Sequence, residues 1–379
     1  MAIAALVVSS SACQGGWTEI ISSGLYDWSA VPNTYMHGVT DTVNGHSYFV
    51  QSIELDTQDT IYRTDGSTAA QVTEYLSPKR FRTLDISVVD GELVASIMGV
   101  GSNEAGHFYS TLPVDPTTPG WTLRDWTSGA NHAEGGMVYA PDLPGADQYM
   151  ISFGTSFPRI YAFAHSTMGD ASPISKQVGS PTVGGIPSYA HGLCKVDEDY
   201  IAGYWYKNTT TTGFWGMDPS AWSTLAYDIT WAHGINALPA TDCIGWDASN
   251  LSIHVQSVSA TPTVRIAIID ASGNFDVQQT EGTDLRTGVI WDNGAGELAY
   301  LIDSDTGELW TSDGVDDFAV VSGSATDSGV EHDALVLCPH ADALCVLGSD
   351  GSLWMWTAGG VTLPYQDTSI WSSIKSSVR

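Results

Sequence analysis

The chain has 379 residues and carries 43 acidic against 13 basic side chains, so its formal net charge is −30. Hydrophobic residues make up 43% of the chain, which is enough for a sizeable core and excludes intrinsic disorder. No apolar run reaches the ~18 residues that a membrane-spanning helix needs. The negative charge also argues against a nucleic-acid partner, because a phosphate-binding groove needs clustered Lys and Arg.

The chain begins with a short apolar stretch, residues 2–8, that lacks the basic residues typical of a secretory signal. We therefore interpret this region as a strand at residues 4–9 and do not expect export by the ordinary signal route. A second strand is predicted at residues 17–21. Residues 1–30 are expected either to complete the last unit of a repeated fold and close its ring, or to form part of an eighth unit.

Short apolar strands separated by turn residues recur along the rest of the chain, and no long helical period interrupts them. Similar tetrapeptides surround three of the histidines, and similar segments surround two of the arginines. Together they align seven positions at intervals of 42 to 59 residues, which we call the register residues: His37, Arg82, His132, His191, His233, Arg286 and His332. Each register residue is predicted to open the first strand of a unit.

Each unit has room for four strands, and turns such as Asp65-Gly66 and Asp313-Gly314 are predicted to end the third strand. Four strands in ~50 residues make one propeller blade. The sequence therefore predicts an all-β protein, a seven-bladed β-propeller of four-stranded antiparallel blades, with eight blades as the alternative. Residues 1–379 are expected to form one domain, with blades starting near the seven register residues.

A turn motif supports this architecture in the last third of the chain. Asp303, Asp305, Gly307 and Trp310 follow the spacing Ser-x-Asp-x-Gly-x-x-Trp with Asp303 in the Ser position, and residues 349–354 carry a shortened form. On these residues the chain resembles the Asp-box (BNR) propellers of the sialidase type. The resemblance implies a folding role, in which the Asp caps backbone amides and the Trp packs between blades. It carries over no catalytic residue.

The register residues are the main candidate site. In a propeller the first strand of each blade lines the central channel, so five His and two Arg are expected to converge at one mouth. Such a pocket would hold a carboxylate, sulfate or phosphate group, with His available for proton transfer near neutral pH. A subset of the His could instead bind a transition metal. The alternative is structural: polar residues at blade starts bond backbone groups and water, and repeat because the blades repeat.

A second resemblance, to the seven-bladed polysaccharide lyases, concerns only the fold and a mouth that contains His and Arg. It implies that a Tyr or His abstracts a proton beside a uronate carboxylate, which Arg or a metal neutralises. Tyr35 and Tyr189 lie two residues before His37 and His191, a spacing that shares one face of a strand. Packing between blades is their alternative role. The same two options, sugar stacking or inter-blade packing, apply to Trp205, Trp215, Trp222, Trp231 and Trp246.

Two smaller sites complete the candidates. Asp303 and Asp305 supply oxygen ligands that would suit Ca²⁺. Cys338 and Cys345 flank a short turn between two apolar runs, so a disulfide across this hairpin is one option if the geometry allows it.

Three functions follow from these patterns. The leading hypothesis is a non-enzymatic binding or structural propeller on a virion or cell surface, outside the cytoplasm, which engages a glycan or a partner protein. The second is a polysaccharide-degrading enzyme, a lyase or glycosidase, that acts on acidic glycans at the His/Arg ring. The third is an architectural subunit packed between other subunits. Whether the protein is an enzyme stays open at this point.

Overall fold

The computed structural model describes residues 16–21, 34–53, 60–72, 81–99, 104–127, 137–139, 148–153, 158–163, 174–177, 189–196, 200–208, 211–217, 225–232, 240–246, 251–257, 263–269, 275–281, 285–292, 296–303, 306–312, 318–321, 324, 334–340, 342–348 and 352–357. Every regular element within these residues is a β-strand. None of them belongs to a helix that could span a membrane.

The described strands form seven four-stranded antiparallel sheets, numbered I to VII in chain order. Sheet I contains β2 (Thr34–Asp41), β3 (His46–Ile53), β4 (Thr60–Thr64) and β5 (Ala69–Gln71), with β1 (Gly16–Ile21) preceding it in the chain. Sheet II contains β6 (Phe81–Val89), β7 (Glu92–Gly99), β8 (Glu104–Thr111) and β9 (Thr122–Thr127). Sheet III contains β10 (Met137–Tyr139), β11 (Gln148–Phe153), β12 (Pro158–Phe163) and β13 (Ile174–Gln177).

The remaining sheets repeat this order. Sheet IV contains β14 (Tyr189–Val196), β15 (Tyr200–Asn208), β16 (Thr211–Met217) and β17 (Leu225–Ala232). Sheet V contains β18 (Ala240–Trp246), β19 (Leu251–Ser257), β20 (Thr263–Ile269) and β21 (Phe275–Glu281). Sheet VI contains β22 (Leu285–Asp292), β23 (Glu297–Asp303), β24 (Leu309–Ser312) and β25 (Ala319–Val320). Sheet VII contains β26 (Ala334–His340), β27 (Ala343–Gly348), β28 (Leu353–Thr357) and, at its outer edge, β1.

The first strands of the sheets form the inner ring of the molecule. Along the chain each of them contacts the first strand of the next sheet, from β2 through β6, β10, β14, β18 and β22 to β26, and β26 contacts β2. The other strands of each sheet follow outward in chain order. The predicted all-β class and the four-stranded antiparallel sheets are therefore confirmed.

Sheet VII takes its outermost strand from the other end of the chain. β1 pairs antiparallel with β28, so that Trp17 lies opposite Trp356 and Glu19 opposite Trp354. The Trp17 indole N–H also donates a hydrogen bond of 2.6 Å to the carbonyl of Ser324 beside sheet VI. The strand predicted at residues 4–9 lies outside the described residues.

Neighbouring sheets pack face to face, so a strand such as β3 is buried on both sides. Successive side chains of a strand point to opposite faces. Phe49 accordingly packs against sheet VII, while Tyr48 and Val50 pack against sheet II. This double burial explains why the strands read as nearly continuous apolar runs rather than as simple polar–apolar alternation.

Strand β27 shows the same division in the last sheet. Cys345 and Leu347 join the cluster shared with sheet I, and Leu344 and Val346 join the cluster shared with sheet VI. The second cluster is rich in aromatic rings, including Trp291, whose ring centroid lies 6.3 Å from that of Trp356 in an edge-on arrangement.

The blade boundaries correct part of the predicted register. The first strands of the sheets begin at intervals of 45 to 56 residues. Trp231 and Ala232 end the last strand of sheet IV, whereas their matched segment around His191 opens the first strand of that same sheet. β18 begins at Ala240, seven residues after His233. A four-residue match rich in Ala and Gly was too short to identify equivalent strands.

The disulfide considered for the β26–β27 hairpin is not formed, and both cysteines are free buried thiols. His340 pairs with Ala343 across a two-residue loop, and Cys338 lies opposite Cys345 two positions further along. In an antiparallel ladder this places the cysteines at a hydrogen-bonded pair, with Cβ atoms up to about 5.5 Å apart. A disulfide needs a Cβ separation of about 3.8 Å. The thiol of Cys338 instead lies 3.1 Å from the Thr40 hydroxyl.

Candidate functional site

Four register residues lie on inner strands, each within the first four positions. His37 is in β2, Arg82 in β6, His191 in β14 and Arg286 in β22. Because the inner strands occupy equivalent places in the ring, their first residues lie at one common end. The backbones of these four residues therefore lie at the same end of the ring of inner strands.

The four residues fall into separate groups around the ring. β2 contacts β6, so His37 and Arg82 are on neighbouring inner strands, while β18 lies between the strands that carry His191 and Arg286. The side chains of these four residues lie outside the described part of the chain. So do His132, His233 and His332. The ring as a binding site therefore stays a prediction.

The aromatic candidates are distributed over several strands. Tyr35 is in β2 and Tyr189 in β14, each on the same strand as the histidine that it precedes. The tryptophans for which sugar stacking and inter-blade packing were both open lie on outward strands or on β18, with Trp222 outside the described residues: Trp205 in β15, Trp215 in β16, Trp231 in β17 and Trp246 in β18.

The opposite end of the ring carries acidic residues. Asp41, Asp90, Asp292 and Asp342 lie at the hairpin loops that follow the inner strands β2, β6, β22 and β26. Asp41 is buried, and its carboxylate accepts hydrogen bonds from the backbone amides of Val43 and Asn44 at 3.1 and 3.2 Å. These four acidic residues thus lie at the end of the ring away from His37, Arg82, His191 and Arg286.

The proposed calcium turn is held by its own backbone. A carboxylate oxygen of Asp303 accepts a 3.0 Å hydrogen bond from the Thr306 amide. The backbone carbonyl of Asp303 accepts a 2.9 Å hydrogen bond from the Gly307 amide. Asp305 lies outside the described residues. Among the residues that are described, no three His, Cys, Asp or Glu side chains are grouped closely enough to hold a metal ion.

A polar cluster lies where sheet VII meets sheet I, and we call it the closure network. It consists of Thr40, Ser47, Cys338, Pro339 and His340. The Ser47 hydroxyl lies 2.8 Å from His340 Nδ1 and 3.2 Å from the Pro339 carbonyl oxygen, and its single proton can be donated to only one of them at a time. The Thr40 hydroxyl donates a hydrogen bond to the same Pro339 carbonyl, and its oxygen lies 3.3 Å from the Ser47 hydroxyl oxygen.

Burial determines what this network can do chemically. It raises the pKa of the Cys338 thiol to about 11, although the hydrogen-bonding hydroxyls of Thr40 and Ser47 act in the opposite direction, and it raises the pKa of Cys345 well above its ordinary value. Both thiols are therefore protonated near neutral pH, and a protonated thiol is a poor nucleophile. Ser47 and His340 are spaced like a nucleophile and its base, but both are shielded from solvent and out of reach of a substrate.

Sequence reasoning missed this network for a clear reason. Ser47 and His340 are separated by 293 residues, and Thr40 and Cys338 by 298. No local period or motif joins such positions, because only closure of the ring brings the first and last sheets together.

Comparison with known proteins identifies the fold and no family. No protein-family model matches the chain, and no curated protein matches it. Virginiamycin B lyase from Staphylococcus aureus superposes with a TM-score of 0.56 at 11% identity, covering 91% of this chain and 99% of that one. A chain of the mitotic checkpoint complex superposes with a TM-score of 0.54 at 11% identity, covering 95% of this chain and 97% of that one. The Dos1 propeller superposes with a TM-score of 0.51 at 11% identity, covering 83% of this chain and 75% of that one. The protein is a β-propeller.

Proposed function

We propose that the chain is a single-domain, seven-bladed β-propeller that binds its ligand without transforming it, with the central mouth as the binding site. The position of His37, Arg82, His191 and Arg286 near the beginning of inner strands carries this proposal. Protonated imidazole and guanidinium groups gathered there would hold a carboxylate, sulfate or phosphate through charge-assisted hydrogen bonds. The ligand is then an acidic glycan or an acidic segment of a partner protein.

The net charge of the protein favours a single anion site. With a formal charge of −30, most of the surface repels an anionic ligand. A ligand of this kind would be attracted only where basic side chains are concentrated. Because exposed charges are screened by salt, the affinity should fall as ionic strength rises.

The test is calorimetric titration with glycans of equal length that carry a uronate, a sulfate or no acid group. Arg82→Gln and Arg286→Gln should each weaken binding of an acidic glycan about tenfold, the loss expected for one charged hydrogen bond. Arg265→Gln is the matched control, because this arginine lies on β20, the third strand of sheet V, away from the inner ring.

The outcomes separate the candidate functions. Equal losses in all three arginine variants, or equal binding of acidic and neutral glycans, would contradict a mouth site. No glycan binding, together with a stable protein complex that survives the substitutions at the mouth, would favour the architectural role instead.

A polysaccharide lyase is the second candidate. It is supported by the placement of Tyr35 with His37 on β2 and of Tyr189 with His191 on β14. Incubation with a uronate polymer should then produce unsaturated chain ends, measured by their ultraviolet absorbance, and Tyr189→Phe should abolish them. A polymer that is bound and recovered intact favours the binding function.

We also propose that the protein is displayed on a virion or cell surface and that residues 303–310 form a degenerate Asp-box. The acidic composition supports the first proposal, and the hydrogen bonds of Asp303 to its own turn support the second. An antibody against the chain should label intact particles or cells. Labelling that appears only after lysis would contradict surface display.

A further inference from the structure

The contact between sheets VII and I encloses a histidine. This contact, which we call the seam, is made by the β26–β27 hairpin on one side and by strands β2 to β5 on the other. His340 is only 6% exposed and Ser47 is fully buried at 0%. The Ser47 hydroxyl lies 2.8 Å from His340 Nδ1, so a polar contact links the two sheets in addition to the apolar cluster between them.

The other side of the His340 ring faces the turn between β4 and β5. His340 hydrogen-bonds to the backbone of Asp65, and a Cβ atom on Gly66 would come within 2.7 Å of Nε2. These contacts assign the neutral tautomer with the proton on Nε2: Nε2–H donates to Asp65 and Nδ1 accepts from Ser47. In this state both ring nitrogens are satisfied inside the seam.

The groups that face His340 disfavour a second proton on the ring. Burial lowers its pKa below the ordinary 6.5, and the nearby His46 acts in the same direction, while the backbone and charge of Asp65 oppose the shift. Burial and the charge of Arg63 likewise lower the pKa of His46, against the charges of Asp41 and Asp65.

We propose that the seam is a proton-operated latch, closed while the His340 imidazole is neutral and opened when it takes up a second proton. A second proton on Nδ1 reverses the hydrogen bond with Ser47, whose own proton must then turn to the Pro339 carbonyl that already accepts from Thr40, and it places a charge in a buried contact beside a second histidine. The opened seam exposes the ring to water, where the imidazolium is solvated. Opening is confined to the line where the first and last sheets meet.

The direction of the pH effect follows from linkage. A histidine whose pKa is lowered in the closed state binds more protons in the open state. The stability that it contributes to the closed seam is therefore fully present above pH 6.5, its ordinary pKa, and is lost as the pH falls below that value. For one histidine the opening equilibrium rises by at most about tenfold between about pH 7.5 and about pH 5.5, the limit reached when the ring in the closed seam takes up no second proton over this range.

Natural reporters lie in the seam. Cys338 is 1% exposed and Cys345 is 0% exposed, and both are free thiols on the β26–β27 hairpin. A thiol reagent reaches them only when the seam opens. Cys194 and Cys243, on β14 and β18 in other sheets, are comparison thiols on strands away from the seam.

The experiment measures labelling of the full-length protein with dithiodipyridine, a reagent that reacts with thiols at acid pH, followed by mass spectrometry of each cysteine peptide. Each rate is divided by the rate of the guanidinium-unfolded chain at the same pH, which removes the intrinsic reactivity of the thiol. We expect the normalised rate at Cys338 to rise from about pH 7.5 to about pH 5.5, by up to about tenfold. The rates at Cys194 and Cys243 should rise much less.

Two substitutions test the role of the imidazole. His340→Asn retains a group that can bond Ser47, His340→Gln retains one that can bond Asp65, and neither titrates. Either variant that is folded at neutral pH should lose the acid response at Cys338. His107→Asn, on β8 in sheet II, is the matched control and should keep it.

The proposal is overturned by any of three results. The first is a wild-type labelling rate at Cys338 that does not change with pH. The second is an equal rise of the labelling rate at Cys194. The third is an acid response at Cys338 that persists in the folded His340 variants. The wild-type result alone decides the question if both His340 variants fail to fold.

Discussion

Aspartate side chains hold several tight turns of this protein by accepting hydrogen bonds from backbone amides. Asp65 is the clearest case, because one carboxylate oxygen accepts bonds from the amides and hydroxyls of both Ser67 and Thr68. Burial alone would raise its pKa, but these four bonds outweigh burial and lower the pKa to about 2. Asp41 and Asp303 act in the same way in other turns. Part of the acidic excess is therefore structural.

Gly66 should be more sensitive to substitution than a glycine with the same backbone conformation elsewhere. Gly66 and Gly91 have φ values of +83° and +81°, but an added Cβ meets His340 Nε2 at 2.7 Å in the first case and nothing within 4 Å in the second. Both changes to Ala carry the left-handed penalty of about 1–2 kcal/mol. Gly66→Ala should lose about 1–3 kcal/mol more through overpacking.

Urea unfolding of the two variants and the wild type measures this difference directly. Gly91→Ala serves as the control, since it shares the backbone cost and lacks the collision. Equal losses of unfolding free energy in the two variants would show that the His340 side chain moves aside without cost.

At the scale of the element, the connection between β8 and β9 is attached to the neighbouring sheet I. The Val114 amide donates to the Tyr48 hydroxyl at 3.1 Å, and the Val114 carbonyl accepts from Arg63 at 2.6 Å. The Trp121 indole N–H donates to the Val72 carbonyl at 2.8 Å. An irregular connection thus satisfies its backbone groups across a sheet boundary, as buried polar groups require.

Tyr48 should make the stability depend on alkaline pH. Burial raises its pKa from 10.0 to about 12, with the nearby Asp41 adding to this and the Val114 amide and Arg63 opposing it. The unfolded chain therefore loses the proton first, so stability present below pH 10 is lost as the pH rises toward 12. By about pH 11 the loss should reach about 1.4 kcal/mol.

The measurement is the free energy of unfolding of wild type minus that of Tyr48→Phe, between about pH 8 and about pH 11. The subtraction removes every group that the two proteins share. Tyr48→Phe also leaves the Val114 amide without its acceptor, which should cost about 1–3 kcal/mol at neutral pH. A difference that stays constant with pH would contradict the assigned burial of the phenol.

Strands and turns were predictable because their signals are local. The Asp65-Gly66 turn ends β4 as predicted, and the apolar runs on either side of Pro339 form β26 and β27. Register was less predictable, because Trp231 and its matched segment fall on different strands of one sheet. The disulfide prediction identified the hairpin but not the pairing type within it, which depends on loop length.

At the scale of the whole molecule, the ring brings together groups that no sequence pattern connects. The apolar clusters between sheets follow from strand alternation and could be anticipated. The closure network could not, because its members come from the first and last sheets and meet only when the ring closes. The candidate mouth was predictable in part. Its residue types were read from the sequence, and the structure places the backbones of His37, Arg82, His191 and Arg286 on inner strands.

The net charge of −30 predicts that salt stabilises the folded protein. Carboxylates held together on a compact molecule repel one another, and the repulsion weakens as the Debye length shrinks from about 30 Å at 0.01 M salt to about 8 Å at 0.15 M. The melting temperature, followed by circular dichroism, should therefore rise by a few degrees over this range. Sodium and choline chloride should act alike, because screening depends on ionic strength. A flat or falling melting temperature would contradict the argument, and a rise with Ca²⁺ far below these concentrations would indicate a specific cation site such as that predicted at Asp303 and Asp305.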